Sequence, residues 1–123
     1  EDTTVYAHWT RATLSYTVRY VREATSSDTD TITIGDNVLF GPAVIVSAGN
    51  HQYDGNSYRF MPSDKKDVVI EEGSWIASNV TIAGGSRIPV GSVVAANSCV
   101  TPSMQQTAHA LYAGLPAKLI KTL

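Results

Sequence analysis

The sequence predicts an all-β domain whose short strands coil into a parallel β-helix. Three observations lead to this fold class. Large apolar residues recur every six positions, small residues fill fixed places within each repeat, and stretches that favour helices are scarce. A period of six matches neither an α-helix, which repeats about every 3.6 residues, nor a strand, in which side chains alternate. The residues at this spacing are Ile34, Phe40, Val46, Ile70, Ile76, Ile82, Ile88, Val94 and Val100.

Short strands separated by tight corners explain the spacing. Each repeat makes one flat face, and three repeats close a coil of 18 residues in which the large residue points inward. Small residues suit the crowded corners, and Gly or Asn supplies the backbone angles that a corner needs. Because successive coils pair as parallel strands, backbone amides find partners without hairpins.

The elements follow in order along the chain. Residues 1–31 are the least regular, and we expect them to form an imperfect first coil that caps the stack. Residues 32–51 form a regular coil. The polar residues 52–67 break the period with Gly, Pro and paired lysines, which predicts a protruding loop. Residues 68–102 form two more regular coils, and residues 103–123 form a short C-terminal tail.

Length and composition exclude several classes of protein. The chain has 123 residues, 43% hydrophobic and 16% charged, which suits a single folded domain and not a disordered chain. It contains no run of about 20 apolar residues and no basic segment leading into an apolar one. We therefore expect neither a membrane span nor a secretory signal. The net charge of −2 gives no electrostatic reason to bind nucleic acid or an anionic membrane.

The single cysteine, Cys99, excludes an internal disulfide framework or a Cys-based metal cluster and points to a reducing cytoplasm. The chain begins at Glu1 without methionine, as a trimmed chain or a fragment would. About three to four coils are near the minimum that such a stack needs, and open ends expose unpaired strand edges. We therefore expect the flat faces to pack against further copies in a homo-oligomer.

Three stretches resemble the hexapeptide-repeat acyltransferases, most closely the maltose/galactoside O-acetyltransferases and related polysaccharide acetyltransferases. They are ITIGDNVLFGPAVIVSAGNH (32–51), VVIEEGSWIASNVTIAGGSRIPVGSVVAANSCVT (68–101) and AGLPAKLIK (113–121). One hexapeptide is a weak signal, but the ordered set of repeat, His, loop, Trp and closing segment is specific. The resemblance implies a left-handed β-helix, a homotrimer with sites between subunits, and acetyl-CoA as acyl donor without a required metal.

The resemblance implies that His51 is the general base. A sugar hydroxyl or amine must lose a proton as it attacks a thioester, and imidazole exchanges protons near neutral pH. Backbone N–H groups at a coil corner are the expected donors to the developing oxyanion. The other interpretation is that His51 only forms a hydrogen bond in a corner. Cys99 lies at a repeat position without a neighbouring His, so transfer is expected to be direct.

For acetyl-CoA, the resemblance implies contacts from six residues. Small residues would let the backbone approach the pantetheine arm, basic ones would bind phosphates, and the tryptophan would form a wall of the groove or a subunit interface. Without a ligand, the geometry of the corners explains the small residues, a solvated tail explains the basic residues, and surface packing explains the tryptophan. The six residues are Ser78, Ala96, Thr101, Lys118, Lys121 and Trp75.

The loop supplies the candidates for binding the acceptor. Sugars favour aromatic faces and hydrogen-bonding tips, and the loop residues suited to line such a pocket are Tyr53, Tyr58, Arg59 and Phe60. Ordinary packing within the loop explains the same residues without an acceptor. Carboxylates near His51 are candidates to orient its imidazole or to contact the acceptor, although solvated surface carboxylates are an equally simple interpretation. These carboxylates are Asp54, Glu71 and Glu72.

Two departures from the family pattern bear on activity. Pro102 stands where the family has a Lys, which removes one phosphate contact. The stretch 14–30 offers no match for the Asn that usually serves the acceptor site. The acceptor therefore differs from the usual one, or the site is weakened.

We expect an acyl-CoA-dependent acetyltransferase that acts on a hydroxyl or amine of a sugar-like molecule. A non-catalytic structural or binding solenoid is the alternative from a different class, and N-acetylation uses the same His as O-acetylation. A γ-type carbonic anhydrase shares the fold but needs three metal-binding histidines, two of them five residues apart. Asn56 stands five residues after His51, and His8 and His109 do not complete that pattern.

Overall fold

The computed structural model describes residues 32–59, 61 and 64–123, which consist of short strands, turns and loops. The predicted capping coil at 1–31 and the loop residue Phe60 lie outside these described residues. Within the described part of the chain, no helix is long and apolar enough to cross a membrane. The strands are β1 (Ile32–Ile34), β2 (Leu39–Phe40), β3 (Ile45–Val46), β4 (Gly49–Asn50), β5 (Asp64–Lys65), β6 (Val68–Ile70), β7 (Trp75–Ile76), β8 (Thr81–Ile82), β9 (Arg87–Ile88), β10 (Val93–Val94), β11 (Cys99–Val100), β12 (Ala110–Gly114) and β13 (Ala117–Thr122).

Three parallel faces make up the coil. Face 1 contains β1, β6 and β9, face 2 contains β2, β7, β10 and β12, and face 3 contains β3, β8 and β11. Each strand pairs in parallel with the strand one coil away. Ile70 pairs with Ile88, 18 positions later, as the six-residue repeat predicts. The antiparallel strands β4 and β5 stand outside the faces, and β13 pairs with β12 at one edge of face 2.

The large repeat residues fill the interior. In the second and third coils they are completely buried, whereas in the first coil Ile34 is 39% exposed. Small serines lie between them, with their hydroxyls bonded to backbone oxygens: Ser74 Oγ donates to the Pro89 carbonyl at 3.0 Å. No buried side-chain nitrogen or oxygen of the described residues lacks a hydrogen-bond partner. Burying a polar group costs little when it is paired, so the serines fit the narrow interior.

Corner residues adopt left-handed backbone angles. Asn79 and Asn97 have φ values of 57° and 59° and occupy the same corner of successive coils. The Asn79 Nδ2 group donates to the Asn97 Oδ1 at 2.7 Å, and the Asn97 N–H donates to the Ser78 carbonyl at 3.0 Å. Asparagine tolerates this region because its side chain forms local hydrogen bonds. The corners therefore stack as regularly as the faces.

The C-terminal region is more ordered than the tail that the sequence suggested. Tyr112 on β12 pairs with Val94 on β10 and is completely buried, so β12 adds a fourth layer to face 2. The Tyr112 hydroxyl donates to the Thr107 carbonyl at 2.7 Å and accepts from the Thr107 N–H at 2.8 Å. Met104 is also buried. These residues cover the end of the stack, and β13 then pairs with β12.

We predict that Ile82→Ala lowers the free energy of unfolding by about 2–5 kcal/mol, because it leaves a cavity in a completely buried column. Thr81→Ala, one residue away on the exposed side of β8, is the control and should change it by less than about 0.5 kcal/mol. Urea unfolding at one fixed protein concentration measures both. Equal effects of the two substitutions would contradict the assigned orientation of β8.

Candidate functional site

The loop that carries His51 leaves the coil at the corner between faces 3 and 1. Strands β4 and β5 close its base, and the Lys66 N–H donates to the Ala48 carbonyl at 3.0 Å. The Ala48 carbonyl lies against Gly84 of the next coil, where a Cβ atom would come within 2.6 Å of the oxygen. Glycine is therefore required at position 84 for the base of the loop to rest on the coil.

A groove of about 360 Å³ lies at the base of this loop. It is lined by Ser47, Asn50, Thr81, Asp64 and Lys66, and Pro102 of the third coil forms part of its wall. The Lys66 Nζ atom lies 3.4 Å from the Asp64 Oδ2 atom. This pair was not predicted from the sequence. The sequence signal that could have identified this pair is its position at the end of the loop, just before the six-residue repeat resumes.

His51 lies directly after Asn50, which lines the groove. The His51 N–H donates to the Asn50 Oδ1 atom at 2.9 Å, and the residue as a whole is exposed. No hydrogen bond to its imidazole is found among residues 32–59, 61 and 64–123. The ring is thus accessible to a molecule that enters from solvent.

Asp54 organises the tip of the loop. Its Oδ1 atom accepts the N–H groups of Asn56 at 2.8 Å and Ser57 at 2.6 Å, and its own N–H donates to the Ser57 carbonyl at 3.0 Å. The backbone hydrogen bonds from Asn56 and then Ser57 hold the pKa of Asp54 below its ordinary value of 3.8. This closed turn joins Tyr53 to Tyr58, whose ring centroids lie 5.0 Å apart at an interplanar angle of 42°.

Glu71 lies at a different corner from His51. Its carboxylate forms an ion pair with Arg87 and accepts the Val90 N–H at 2.7 Å, which ties the second coil to the third between faces 1 and 2. Glu72 is exposed near the same corner, and its carbonyl accepts the Gly91 N–H at 2.9 Å. These contacts give Glu71 a structural role, and the structure does not bring either residue to the loop.

The residues implied for acetyl-CoA fall into three places. Ser78 and Ala96 are exposed at the corner between faces 2 and 3, one directly above the other in successive coils. Thr101 lies at the corner between faces 3 and 1, with its Oγ1 atom 3.0 Å from the Ser103 hydroxyl. Trp75 is 48% exposed on the outer side of face 2, as the sequence predicted for its side chain.

A β-bulge places Lys118 and Lys121 on the same side of face 2. Leu111 pairs with Lys121, while Tyr112 pairs with Leu119, so Ile120 is an extra residue in β13. Directly opposed residues of an antiparallel pair project to the same side. Tyr112 points inward, so its neighbours Leu111 and Ala113 point outward. Their partners, Lys121 and Lys118, therefore also point outward, on the same side as Trp75.

A single chain does not gather all of these residues. His51 and Thr101 lie at one edge of face 3, whereas Ser78 and Ala96 lie at the opposite edge. The outer side of face 3 between them carries Ile45, which is 57% exposed. Among the described residues, no group of three or more His, Cys, Asp or Glu side chains is placed to hold a metal ion.

Known proteins with similar sequences are acetyltransferases. A putative lipopolysaccharide biosynthesis O-acetyl transferase from Escherichia coli K12 is 35% identical in an alignment of 101 positions that covers 75% of this chain and 50% of that protein. The galactoside O-acetyltransferase of Escherichia coli K12 is 34% identical in an alignment of 102 positions that covers 78% of this chain and 46% of that protein. The chain thus spans about half the length of these curated relatives. No protein-family model matches it.

Solved structures agree with the sequence similarity. A hexapeptide-repeat acetyltransferase from Vibrio cholerae, determined in complex with acetyl-CoA, has a TM-score of 0.68 and 38% identity. The match covers 75% of this chain and 49% of that protein. The left-handed parallel β-helix predicted from the sequence is therefore confirmed.

We predict that the turn around Asp54 keeps its full stability when the pH falls to the ordinary aspartate value of 3.8 and weakens only below it, where the neutral carboxyl keeps an acceptor oxygen but loses its charge. A lowered pKa means that the ionised carboxylate is favoured in the folded turn. Its contribution is present above the pKa of the free side chain and disappears as the pH falls through the folded value.

The amide proton shifts of Asn56 and Ser57, followed by NMR during an acid titration, measure this transition. A midpoint above 3.8 would contradict the hydrogen bonds assigned to Asp54.

Proposed function

The chain is a relative of the hexapeptide-repeat acyltransferases, and on this premise we propose that it transfers an acetyl group from acetyl-CoA to a hydroxyl of a sugar-like molecule. The observation that carries this proposal is the accessible imidazole of His51 beside the groove at the loop base. It is supported by the acetyl-CoA complex of the Vibrio cholerae protein and by the O-acetyltransferase names of the relatives.

In the proposed reaction, His51 accepts the proton of the acceptor hydroxyl as its oxygen attacks the thioester carbonyl. The carbon–sulfur bond then breaks, and the protonated imidazole returns the proton to the departing CoA sulfur. A general base of this kind typically contributes about 10²–10⁴-fold to the rate. Backbone N–H groups near the corner would stabilise the oxyanion, because donors fixed in advance cost no reorganisation during the reaction.

The residues present suit the chemistry of acetyl-CoA. Lys118 and Lys121 offer two cations on one side of face 2, where phosphates would bind. Trp75 offers an apolar surface on the same side, with β10 and β12 between its strand and β13. Small residues at the corners would let the pantetheine arm lie close to the backbone. The six residues proposed to contact acetyl-CoA are Trp75, Ser78, Ala96, Thr101, Lys118 and Lys121.

The acceptor would bind against the loop. Tyr53, Tyr58 and Arg59 lie within eight residues of His51, and all three are exposed. The two Escherichia coli relatives act, by their names, in lipopolysaccharide biosynthesis and on galactosides, so acceptors differ within the group. A sugar-like acceptor is compatible with both names. An acceptor with an amine in place of the hydroxyl would use the same base, His51.

We also propose a homotrimer in the cytoplasm. The edge with His51 and the edge with Ser78 and Ala96 lie on opposite sides of face 3. Placing one copy's His51 edge against another copy's Ala96 edge would complete a site between them, and a closed ring of three provides this contact for every copy. The single free thiol, Cys99, is compatible with a reducing compartment.

A non-catalytic binding solenoid is the second candidate. Pro102, which has no charged or donor group, stands in the groove wall where the family places a lysine. Acetyl-CoA should stabilise the enzyme by about 2.7 kcal/mol at 100 times the dissociation constant, whereas a non-catalytic solenoid without a donor site should not respond. Only the enzyme releases CoA in the presence of an acceptor, so thiol detection across an acceptor panel separates them.

We predict that His51→Ala reduces acetyl transfer by about 10²–10⁴-fold, since the general base is lost. Binding of acetyl-CoA, followed by its effect on the melting temperature, should be unchanged because the imidazole does not hold the donor. Gln52→Ala, the exposed neighbour, is the matched control and should leave the rate as it is. A His51→Ala variant that retained the full rate would exclude His51 as the base.

We predict that two variants that are inactive alone recover acetyl transfer activity when they are mixed in one oligomer. His51→Ala removes the base, and Ala96→Trp obstructs the opposite edge. If each site combines these edges from two copies, random mixing should recover about a quarter of the wild-type activity. Sedimentation equilibrium should give three times the chain mass. No recovery on mixing, or a folded monomer at micromolar concentration, would contradict the shared site.

A further inference from the structure

The loop presents an aromatic pair whose geometry specifies how an acceptor would bind. We infer that Tyr53 and Tyr58 form a platform for the flat C–H face of a pyranose ring, and that Asp54 is the residue that positions this platform. The inference rests on the proposed function, because it assigns the acceptor side of the same site.

Both rings of the pair are accessible to a ligand. Tyr53 is 56% exposed and Tyr58 is 61% exposed, although the two rings are in contact. By contrast, Tyr112 is completely buried and has both hydroxyl contacts satisfied. Tyrosine combines a large apolar ring with a polar tip, which suits a binding surface that is wet at one end. Two adjacent rings left to solvent thus offer a small apolar area for a ligand.

The platform lies close to the proposed base. Tyr53 is two residues after His51, so their Cα atoms lie within about 7 Å of each other. A ring bound on the platform would have its hydroxyl groups within reach of a neighbouring imidazole. The platform and the proposed base are therefore parts of one loop, whose first residues, such as Asn50, line the groove.

Hydrogen bonds to Asp54 hold the pair together. Tyr53 and Tyr58 flank the residues 54–57, which three hydrogen bonds to Asp54 close into a turn. Without this turn, nothing in the local sequence would hold two side chains five positions apart at a centroid distance of 5.0 Å. The Asp54 Oδ1 atom is already shared by two N–H groups, so Asp54 acts through the turn.

The chemistry of the platform identifies the class of acceptor. A pyranose presents several C–H groups on one rigid face, and this face can pack on an aromatic ring while the hydroxyls remain solvated. An open-chain sugar alcohol carries the same hydroxyl groups but has no rigid face. The platform should therefore favour a ring-shaped acceptor over the corresponding alditol.

The variants that test this are Tyr53→Ala, Tyr58→Ala, Asp54→Ala and Asp54→Asn, with Gln52→Ala as the control. Asparagine keeps a side-chain oxygen that accepts both N–H groups but has no charge, whereas alanine has no acceptor. The probes are methyl pyranosides of galactose, glucose and mannose, with galactitol, glucitol and mannitol as their open-chain counterparts. Circular dichroism shows that each variant is folded.

We expect KM for the best pyranoside to rise roughly tenfold in both tyrosine variants and in Asp54→Ala, which corresponds to about 1.4 kcal/mol of lost binding. The kcat value, KM for acetyl-CoA and KM for the alditol should change by less than about twofold. Asp54→Asn should behave like the wild type. An Asp54→Asn variant as impaired as Asp54→Ala would show that the charge acts directly, and would overturn the positioning role.

Binding measured without acetyl-CoA separates this inference from the proposed function. NMR saturation transfer detects each pyranoside on the wild type and on the variants. Binding that depends on Tyr53, Tyr58 and Asp54 without acetyl transfer would refute the proposed reaction and support the platform. Transfer with unchanged KM in the tyrosine variants, or no binding of any pyranoside to the wild type, would refute the platform.

Discussion

The stacking of one coil on the next is the constraint on which the rest of the molecule depends. Backbone N–H groups of the second coil donate to carbonyls of the third, as Trp75 does to Ser92 at 2.8 Å and Ala77 does to Val94 at 2.9 Å. These bonds hold only if every coil has the same length, because a shift of one residue would turn the apolar column outward. The repeat of six therefore fixes the register, the narrow interior and the positions of the corners together.

The candidate site uses the parts of the coil that this constraint leaves free. The faces must carry apolar residues that point inward. The corners need only turn the chain, and the outer surfaces need only be compatible with solvent. His51, Ser78 and Thr101 all lie at or beside corners, and Trp75 lies on an outer surface. The scaffold and the proposed chemistry therefore make separate demands on the sequence, which is why the candidate site residues lie outside the repeat positions.

The regular coils could be predicted because their residues obey a period, and in the second and third coils the structure completely buries the large residues that the period selects. The C-terminal layer could not, since the repeat ends at Val100 and the spacing of 18 returns only with β12, where Leu111 pairs with Val93 and Tyr112 pairs with Val94. The loop was recognised by composition alone. Its internal contacts, such as the hydrogen bonds to Asp54 and the pair of Asp64 and Lys66, depend on backbone geometry that no periodicity encodes.

The loop insertion at a corner leaves the coil register intact. Ile34 pairs with Ile70, 36 positions later, just as Ile70 pairs with Ile88 after 18. The chain leaves through Ala48 and returns at Lys66, where the Lys66 N–H donates to the Ala48 carbonyl at 3.0 Å and strands β4 and β5 pair. The length and sequence of the segment between Ala48 and Lys66 therefore do not affect how the strands of the coils pair. If the proposed function holds, acceptor preference can diverge by exchange of this one segment, while the proposed donor surface and the folding core are inherited unchanged.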